Sequence, residues 1–184
     1  PAQRVNISMN QDFYWSANGT GVAFGDFTVN NTYKYKGGEV YSIMDSGTSA
    51  LLLTSDFFIA IVQHYMARAG ITGYKILFGK VFLSCYSPDD LPSLYFQFSG
   101  YWIEIHPRDL FIDVSQSQNG GLCMMLIQKN SYPFNLFGAP MLRGYYTTHD
   151  PVKSIISFVP TPNSPKLPLP SGPIPEQELE IDFS

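Results

Sequence analysis

The residues that could do chemistry most directly are five consecutive small or polar side chains that begin with a carboxylate. The string Asp45-Ser46-Gly47-Thr48-Ser49 follows a short apolar run. Its hydroxyl groups could donate hydrogen bonds to the Asp45 carboxylate, and Gly47 would let another stretch of backbone approach closely. This composition suits a carboxylate held in one fixed orientation. The same residue types also form ordinary turns, so the string alone leaves a purely structural interpretation open.

The histidines do not add a second chemical centre. His64, His106 and His149 are far apart in the sequence, and they do not combine into a spacing typical of metal ligands. We interpret all three as structural or surface residues. The sequence therefore predicts no metal and no cofactor.

The carboxylate would be positioned by a mainly β fold. The run Val40–Met44 could be a buried strand that ends at Asp45, and Val5–Met9 alternates apolar and polar residues. Turns are predicted at Asn18-Gly19 and Gly37-Gly38. A last hairpin is predicted around Asp150-Pro151, between 144–146 and 155–158. Other strand-like segments are part of 22–29, then 74–84, 93–100, 101–105, 110–114, 123–128 and 134–137.

One clear helix is predicted over 55–70, directly after the polar string. Ser55 or Asp56 could cap its first turn, because a side-chain oxygen there can accept from free backbone amides. Arg68 in the last turn and Gly70 after it are typical of a helix end. One apolar face follows helical spacing: Phe58, Ile61, Val62, Tyr65, Met66 and Ala69.

Composition excludes several classes of protein. The 184 residues are 45% hydrophobic and 14% charged, which fits one domain or one lobe with a sizeable core. Aromatic residues make up 15%, and 15 Gly and 14 Pro punctuate the chain, which favours strands and short turns. The net charge of -4, with no basic cluster, argues against nucleic acid as a partner. No apolar run reaches the roughly 18 residues of a membrane span.

Three glycosylation sequons favour a secretory route. They begin at Asn6, Asn18 and Asn30. The two cysteines, Cys85 and Cys123, are compatible with one disulfide or with two free thiols, and an oxidising compartment would favour the disulfide. Because the sequence opens with Pro1 rather than Met, we expect it to be cut from a longer precursor.

The tail, residues 160–184, differs in character from the rest of the chain. Seven of the 14 prolines lie in the stretch from Pro160 to Pro175. Lys166 is followed in the sequence by four acidic residues. Such composition is typical of an extended linker. The final run 179–183 alternates apolar and acidic residues, as an added edge strand would. We therefore expect the tail to dock, with Leu179, Ile181 and Phe183 facing the other lobe or a partner subunit.

Five separated elements together resemble the C-terminal lobe of pepsin-like aspartic proteases. The polar string resembles the Asp-Thr/Ser-Gly-Thr/Ser signature of that family. The other elements are Tyr14-Trp15, Leu91-Pro92-Ser93-Leu94-Tyr95-Phe96 after the first cysteine, Leu136-Phe137-Gly138, and the closing strand 142–150 that ends in Asp150. They occur in the family's order and cover roughly residues 5–159.

The resemblance implies a mainly β fold of one lobe, with a short helix after the Asp-Ser-Gly motif. Residues 1–159 would be the C-terminal lobe of a bilobal enzyme, and 160–184 a proline-rich acidic extension. The resemblance also implies a Cys85–Cys123 disulfide. Asp45 would be catalytic and Ser46, Gly47, Thr48 and Ser49 would support it. Tyr14, Ile43 and Leu136 are candidates for the substrate cleft.

In this family two carboxylates share one proton and activate a water that attacks the peptide bond. This chain has only one such motif, so the resemblance implies a partner chain, the N-terminal lobe, and a peptide or protein substrate. The expected location is the secretory pathway, ending in a lysosome, a vacuole or outside the cell. Two alternatives stay open: an inactive protease-like subunit that binds or supports other proteins, and a homodimer that supplies two copies of Asp45.

Overall fold

In a computed structural model of the chain, which describes residues 3–11, 13–116, 120–170 and 172–183, the apolar segments form strands of two sheets. The mainly β class predicted from the sequence is confirmed. The strands are β1 (Val5–Ser8), β2 (Ser16–Phe24), β3 (Thr32–Lys34), β4 (Val40–Met44), β5 (Leu51–Leu53), β6 (Tyr74–Leu77), β7 (Lys80–Ser84), β8 (Leu94–Phe98), β9 (Tyr101–Ile105), β10 (Phe111–Asp113), β11 (Leu122–Lys129), β12 (Asn135–Phe137), β13 (Tyr145–Asp150), β14 (Ile155–Pro160) and β15 (Leu169–Pro170). The α-helices are α1 (Ser55–Ala69), α2 (Pro107–Leu110) and α3 (Ala139–Leu142), and 3-10 turns span Val29–Asn31 and Pro88–Asp90.

The larger sheet brings the two halves of the chain together at its middle. Its order is β15-β9-β8-β2-β4-β12-β5-β11-β7-β6, with β3 beside β2 and β10 beside β11. β12 runs parallel to β4 and antiparallel to β5, so it separates two strands that are close neighbours in sequence. The smaller antiparallel sheet has the order β1-β14-β13, and its β13–β14 pair is the last hairpin predicted from the sequence.

Helix α1 covers the core with the predicted face. Phe58, Ile61, Val62, Tyr65 and Met66 are buried in the main apolar cluster, and Ala69 packs at its edge. Fully burying a large apolar side chain contributes about 1.5–3 kcal/mol, so this face accounts for much of the stability of the helix. Gly70 ends the helix with a left-handed φ of 70°, and its N–H donates to the Ala67 carbonyl (3.2 Å).

The beginning of α1 differs from the prediction. The capping position is Thr54 rather than Ser55 or Asp56, and the Thr54 side chain makes no capping hydrogen bond. Instead Oδ1 of Asn135 accepts a hydrogen bond from the Thr54 N–H (3.1 Å). An acceptor 81 residues away in sequence therefore fixes the point where β5 passes into the helix.

The turn predicted at Asn18-Gly19 is wrong, because both residues lie inside β2. Gly19 pairs with Val40 on β4 and with Phe98 on β8. A Cβ at Gly19 would lie 2.8 Å from the ring of Tyr35, so this glycine is required for close packing rather than for turning. The turn predicted at Gly37-Gly38 is confirmed: both glycines have positive φ, and the Gly38 N–H donates to the Tyr35 carbonyl (3.0 Å).

Three predicted strands have different boundaries. The segment 22–29 is a strand only as far as Phe24, after which Gly25 turns the chain with a φ of 81°. The segment 74–84 is a hairpin, because Phe78 and Gly79 both adopt positive φ and connect β6 to β7. The segment 110–114 begins with the last residue of α2, and its strand is β10.

The tail packs along the lobe from which it emerges. β15 pairs with β9, and farther along Lys34 exchanges backbone hydrogen bonds with Gln177 (2.8 Å) and Leu179 (2.9 Å). Gln63 on α1 exchanges two hydrogen bonds with the backbone of Asp182 (3.1 and 2.8 Å). The receptor predicted for the tail, another lobe or subunit, is therefore corrected to the chain's own β3, β9 and α1. Leu179 is buried and Ile181 is half-buried, whereas Phe183 is 90% exposed on this chain, so a contact of Phe183 with another lobe or subunit stays a prediction.

Candidate active site

A tight turn presents Asp45 at the end of a buried strand. β4 ends at Met44, the turn runs from Asp45 to Thr48, and β5 begins at Leu51. The Thr48 N–H donates to the Asp45 carbonyl (3.2 Å), and the Asp45 N–H donates to the Phe137 carbonyl (3.0 Å). Both backbone groups of Asp45 are thus satisfied, one within the turn and one by β12. We call residues 45–50 the Asp45 loop.

The Asp45 carboxylate has a defined orientation. The Gly47 N–H donates to its Oδ1 (2.9 Å), and the Thr48 hydroxyl donates to its Oδ2 (2.5 Å). The residue is half-buried, so the carboxylate is held by protein groups while part of it remains open to solvent. A carboxylate fixed in this way is suited to exchange a proton with a bound molecule in one geometry.

Two backbone hydrogen bonds join the Asp45 loop to the segment that follows β12. The Gly138 N–H donates to the Ala50 carbonyl (3.2 Å), and the Ala139 N–H donates to the Thr48 carbonyl (2.8 Å). A Cβ at Gly138 would lie less than 3.0 Å from the carbonyl oxygens of both Thr48 and Ala50. Only glycine fits there without moving the loop. The element 136–138 therefore meets the polar string in space, although 90 residues separate them in sequence.

The other residues of the polar string differ in exposure. Ser46, Gly47 and Ser49 are exposed, and Thr48 is half-buried. Of the three hydroxyl groups expected near the carboxylate, that of Thr48 contacts it.

Two of the three cleft candidates are neighbours. Ile43 on β4 pairs directly with Leu136 on β12, and Leu136 pairs with Leu52 on β5, so the three side chains form a row on the sheet face opposite the main core. Ile43 is 8% exposed, and Leu136 and Leu52 are half-buried. Tyr14 is 59% exposed and lies just before β2. The backbone carbonyl of its neighbour Trp15 accepts a hydrogen bond from the Met44 N–H (2.8 Å). This segment therefore lies next to the start of the Asp45 loop.

Trp15, whose carbonyl accepts from the Met44 N–H beside the Asp45 loop, also makes a ring contact. The rings of Trp15 and His149 lie 4.7 Å apart, centroid to centroid. Burial lowers the pKa of His149, and its Nε2 has no hydrogen-bond partner among the described residues. The contact with the Trp15 ring is compatible with our interpretation of His149 as a structural residue. Nothing in the sequence indicates this pairing, because 134 residues separate the two.

Other predicted positions lie away from the Asp45 loop. Cys85 and Cys123 form a disulfide, with their Cα atoms 5.0 Å apart, and link the end of β7 to β11. Asn6 and Asn30 are exposed, whereas Asn18 is half-buried and donates through its amide nitrogen to Oε2 of Glu39 (2.8 Å). Asn18 is therefore less exposed than the other two asparagines, although part of it still lies at the surface.

The described residues lack a metal-ligand cluster and a membrane-spanning helix. Within the described ranges, His, Cys, Asp and Glu side chains do not gather in threes with the geometry of a metal site. No helix in the described part of the chain has both the length and the apolar character needed to cross a membrane.

Comparison with known sequences identifies a family. The sequence profile of the family described as eukaryotic aspartyl protease matches residues 3–161. Among curated proteins, gastricsin from Mus musculus is 25% identical over 158 residues, which cover 84% of this chain and 38% of gastricsin. The vacuolar aspartic protease of Candida albicans is 28% identical over 160 residues, 84% of this chain and 34% of that protein. Plasmepsin IV of Plasmodium falciparum is 25% identical over 157 residues, 84% of this chain and 31% of that protein. The chain therefore spans about a third of the length of these relatives.

Proposed function

The chain belongs to the eukaryotic aspartyl protease family, and from that premise we propose that it supplies one of the two catalytic carboxylates of an aspartic-type endopeptidase. The proposed catalytic residue is Asp45. The observation that supports it best is the orientation of its carboxylate, which accepts hydrogen bonds from the Gly47 N–H and the Thr48 hydroxyl at the meeting point of β4, β12 and β5.

The proposed reaction is hydrolysis of a peptide bond by a water held between two carboxylates. Two like charges at close range cannot both ionise easily, so the pair holds one proton over a range of pH. The ionised carboxylate takes a proton from the water, and the protonated carboxylate polarises the scissile carbonyl. In this scheme Gly47 and Thr48 keep Asp45 aimed at the water, which lowers the cost of reaching the reactive geometry.

The second carboxylate would come from an N-terminal lobe. Relatives more than twice as long as this chain match it over 84% of its length, which supports the view that another lobe completes the site. Ile43, Leu136 and Tyr14 would then line the substrate side of the cleft. The peptide substrate binds where the row of Ile43 and Leu136 meets the Asp45 loop.

A secretory route is the proposed location. The Cys85–Cys123 disulfide requires an oxidising compartment to form readily. Two relatives carry the word vacuolar in their names, those from Candida albicans and Aspergillus fumigatus. Asn30 is the strongest candidate for a glycan, because it is exposed on a 3-10 turn.

Substitution of the proposed catalytic residue tests the function. In the assembled protein, Asp45→Asn should lower peptidase activity by at least about a thousandfold, because one of the two carboxylates that handle the proton is lost. The melting temperature should remain within a few degrees of wild type. Asp90→Asn, the same chemical change at an exposed turn, is the matched control and should retain activity.

A statine-type transition-state analogue should inhibit the wild type, because its hydroxyl occupies the place of the water. Full activity in the folded Asp45→Asn protein would refute the assignment.

A further inference from the structure

A fully buried lysine anchors the tail just beyond the region matched by the family. The match ends at residue 161, and Lys166 follows with 0% exposure. Its Nζ donates hydrogen bonds to the carbonyls of Pro140 (2.7 Å) and Arg143 (2.5 Å) and lies 3.1 Å from Oδ2 of Asp109. The three donors of the ammonium group therefore have three acceptors.

These contacts explain why a lysine is tolerated in the interior. A buried charge is costly unless it is paired and hydrogen-bonded. Burial lowers the pKa of Lys166, whereas the carboxylate of Asp109 opposes that effect. The face of the Tyr145 ring, 5.4 Å from Nζ, adds a further favourable contact.

The residues around Lys166 are held equally closely. The Leu167 N–H donates to Oε2 of Glu104 (2.9 Å), a buried carboxylate whose Oε1 accepts from the Ser93 hydroxyl (2.7 Å). Leu169 and Pro170 then pair with β9. The segment that directly follows the lysine, 167–170, is thus fixed, which limits how far Nζ can move from its acceptors.

The carbonyls that Lys166 binds belong to α3 and the residue that follows it. The last carbonyls of a helix have no partner within the helix, so an ammonium group there satisfies groups that would otherwise be unpaired. The other end of α3 is its contact with the Asp45 loop, where the N–H groups of Gly138 and Ala139 donate to Ala50 and Thr48. One short helix therefore has the tail at one end and the Asp45 loop at the other.

We propose that Lys166 is a positioning residue: by fixing the end of α3, it stabilises the contacts of Gly138 and Ala139 with the Asp45 loop. The tail is then part of the support of the candidate active site, and its release between residues 161 and 166 would loosen that support. The effect on peptide hydrolysis rests on the function proposed above. The effect on the loop does not.

Amide hydrogen exchange in the intact protein tests the proposal directly. Lys166→Met removes the charge and the three donors while keeping an unbranched side chain. We expect exchange in the peptide spanning 138–143 to be at least about tenfold faster, because exchange reports the free energy of local opening. The turnover number for peptide cleavage should fall about tenfold with little change in KM, because misplacement of Asp45 weakens mainly the transition state.

Matched variants separate positioning from general damage. Lys153→Met makes the same substitution at an exposed lysine and should leave both exchange and turnover unchanged. Asp109→Asn removes only the ion pair and should produce a smaller increase in exchange at 138–143, which keeps the test available if Lys166→Met does not fold. Unchanged exchange in that peptide, or a uniform increase across the lobe, overturns the proposal. A wild-type protein without peptidase activity but with the expected exchange pattern would refute the proposed function alone.

Discussion

Two carboxylates in this lobe are held by similar local contacts, and their comparison shows what distinguishes a candidate catalytic residue. Asp26 accepts hydrogen bonds from the N–H and hydroxyl of Thr28 and from the amide of Asn31, and it pairs with Arg68. Asp45 likewise accepts from a backbone N–H and a hydroxyl of its own turn. Turn chemistry alone therefore does not distinguish a candidate catalytic residue from a structural one. What sets Asp45 apart is its contact with a distant strand: its backbone N–H donates to the carbonyl of Phe137 on β12.

The hydrogen bonds from Asn31 and Thr28, with a smaller contribution from Arg68, hold the pKa of Asp26 well below its usual value of 3.8. A carboxylate whose pKa is lowered by folding stabilises the folded state above its unfolded pKa, and this contribution is lost as the pH falls below that value. We expect Asp26→Asn to lower the melting temperature at pH 6 and to lower it progressively less as the pH is reduced from about 4 toward 2. Thermal unfolding across this range measures the effect.

Asn31→Ala provides a second measure of the same interaction. It removes the largest contribution to the lowered pKa of Asp26 and should show the same pH trend with a smaller amplitude. A difference in melting temperature between wild type and Asp26→Asn that stays constant from pH 6 to pH 2 would contradict the explanation.

At the scale of elements, the most demanding contact is the approach of β12 to the Asp45 loop. Gly138→Ala would push a methyl group against the carbonyls of Thr48 and Ala50, which are backbone atoms and cannot rotate away. We expect a loss of at least about 2–3 kcal/mol in the free energy of unfolding. Loss of the proposed peptidase activity should be larger than this destabilisation explains, because the loop itself must shift.

Denaturant unfolding and peptide hydrolysis, measured on the same preparation, test this prediction. Gly73→Ala is a suitable control, because a Cβ there would meet no atom within 4 Å. A Gly138→Ala protein with wild-type activity and stability would show that the loop can adapt.

The elements that the sequence predicts well are those specified locally. Helix α1 has its apolar face and its terminal glycine within 16 residues, and the β13–β14 hairpin has its strands on either side of one turn. The features it does not predict depend on distant residues. Gly19 is a strand residue because the ring of Tyr35 lies against it, and α1 begins at its observed position because of Asn135. Phe78 occupies a left-handed turn position that its residue type does not indicate.

The candidate site was predicted to a similar extent. The polar string and the 136–138 element could both be recognised, because each is a short run of characteristic residues. The hydrogen bonds that Gly138 and Ala139 donate to the Asp45 loop could not be predicted, because they depend on the sheet order, in which β12 lies between β4 and β5. The role of Lys166 could not be predicted, because a lysine in a proline-rich acidic segment is normally exposed.

At the scale of the whole molecule, the tail connects surfaces that the sheets leave apart. Its first part reaches α2, α3 and β9 through Lys166 and β15, and its last part reaches β3 and α1. Among the described residues, the first part of the tail is connected to the Asp45 loop through α3, whereas the last part packs on β3 and α1. The two parts should therefore have separable effects, one on the candidate site and one on global stability.

Deletion of residues 172–184 isolates the second effect. It removes the buried side chain of Leu179, the backbone hydrogen bonds of Gln177 and Leu179 to Lys34, and the paired hydrogen bonds between Gln63 and Asp182 (3.1 and 2.8 Å). Burial of one leucine contributes about 1.5–3 kcal/mol and each hydrogen bond about 1 kcal/mol, offset by the entropy of ordering the segment. We expect a net loss of about 2 kcal/mol in the free energy of unfolding, measured by urea denaturation.

The same deletion should leave amide exchange at 138–143 unchanged, because Lys166 and its acceptors remain in place. Phe183→Ser is the internal control: that side chain is 90% exposed, so its replacement should not alter the urea midpoint. If the deletion does not change the midpoint, the last part of the tail contributes nothing to stability and its contacts with α1 and β3 are incidental. If it accelerates exchange at 138–143, the two parts of the tail act as one unit, and the separation argued from their contacts is wrong.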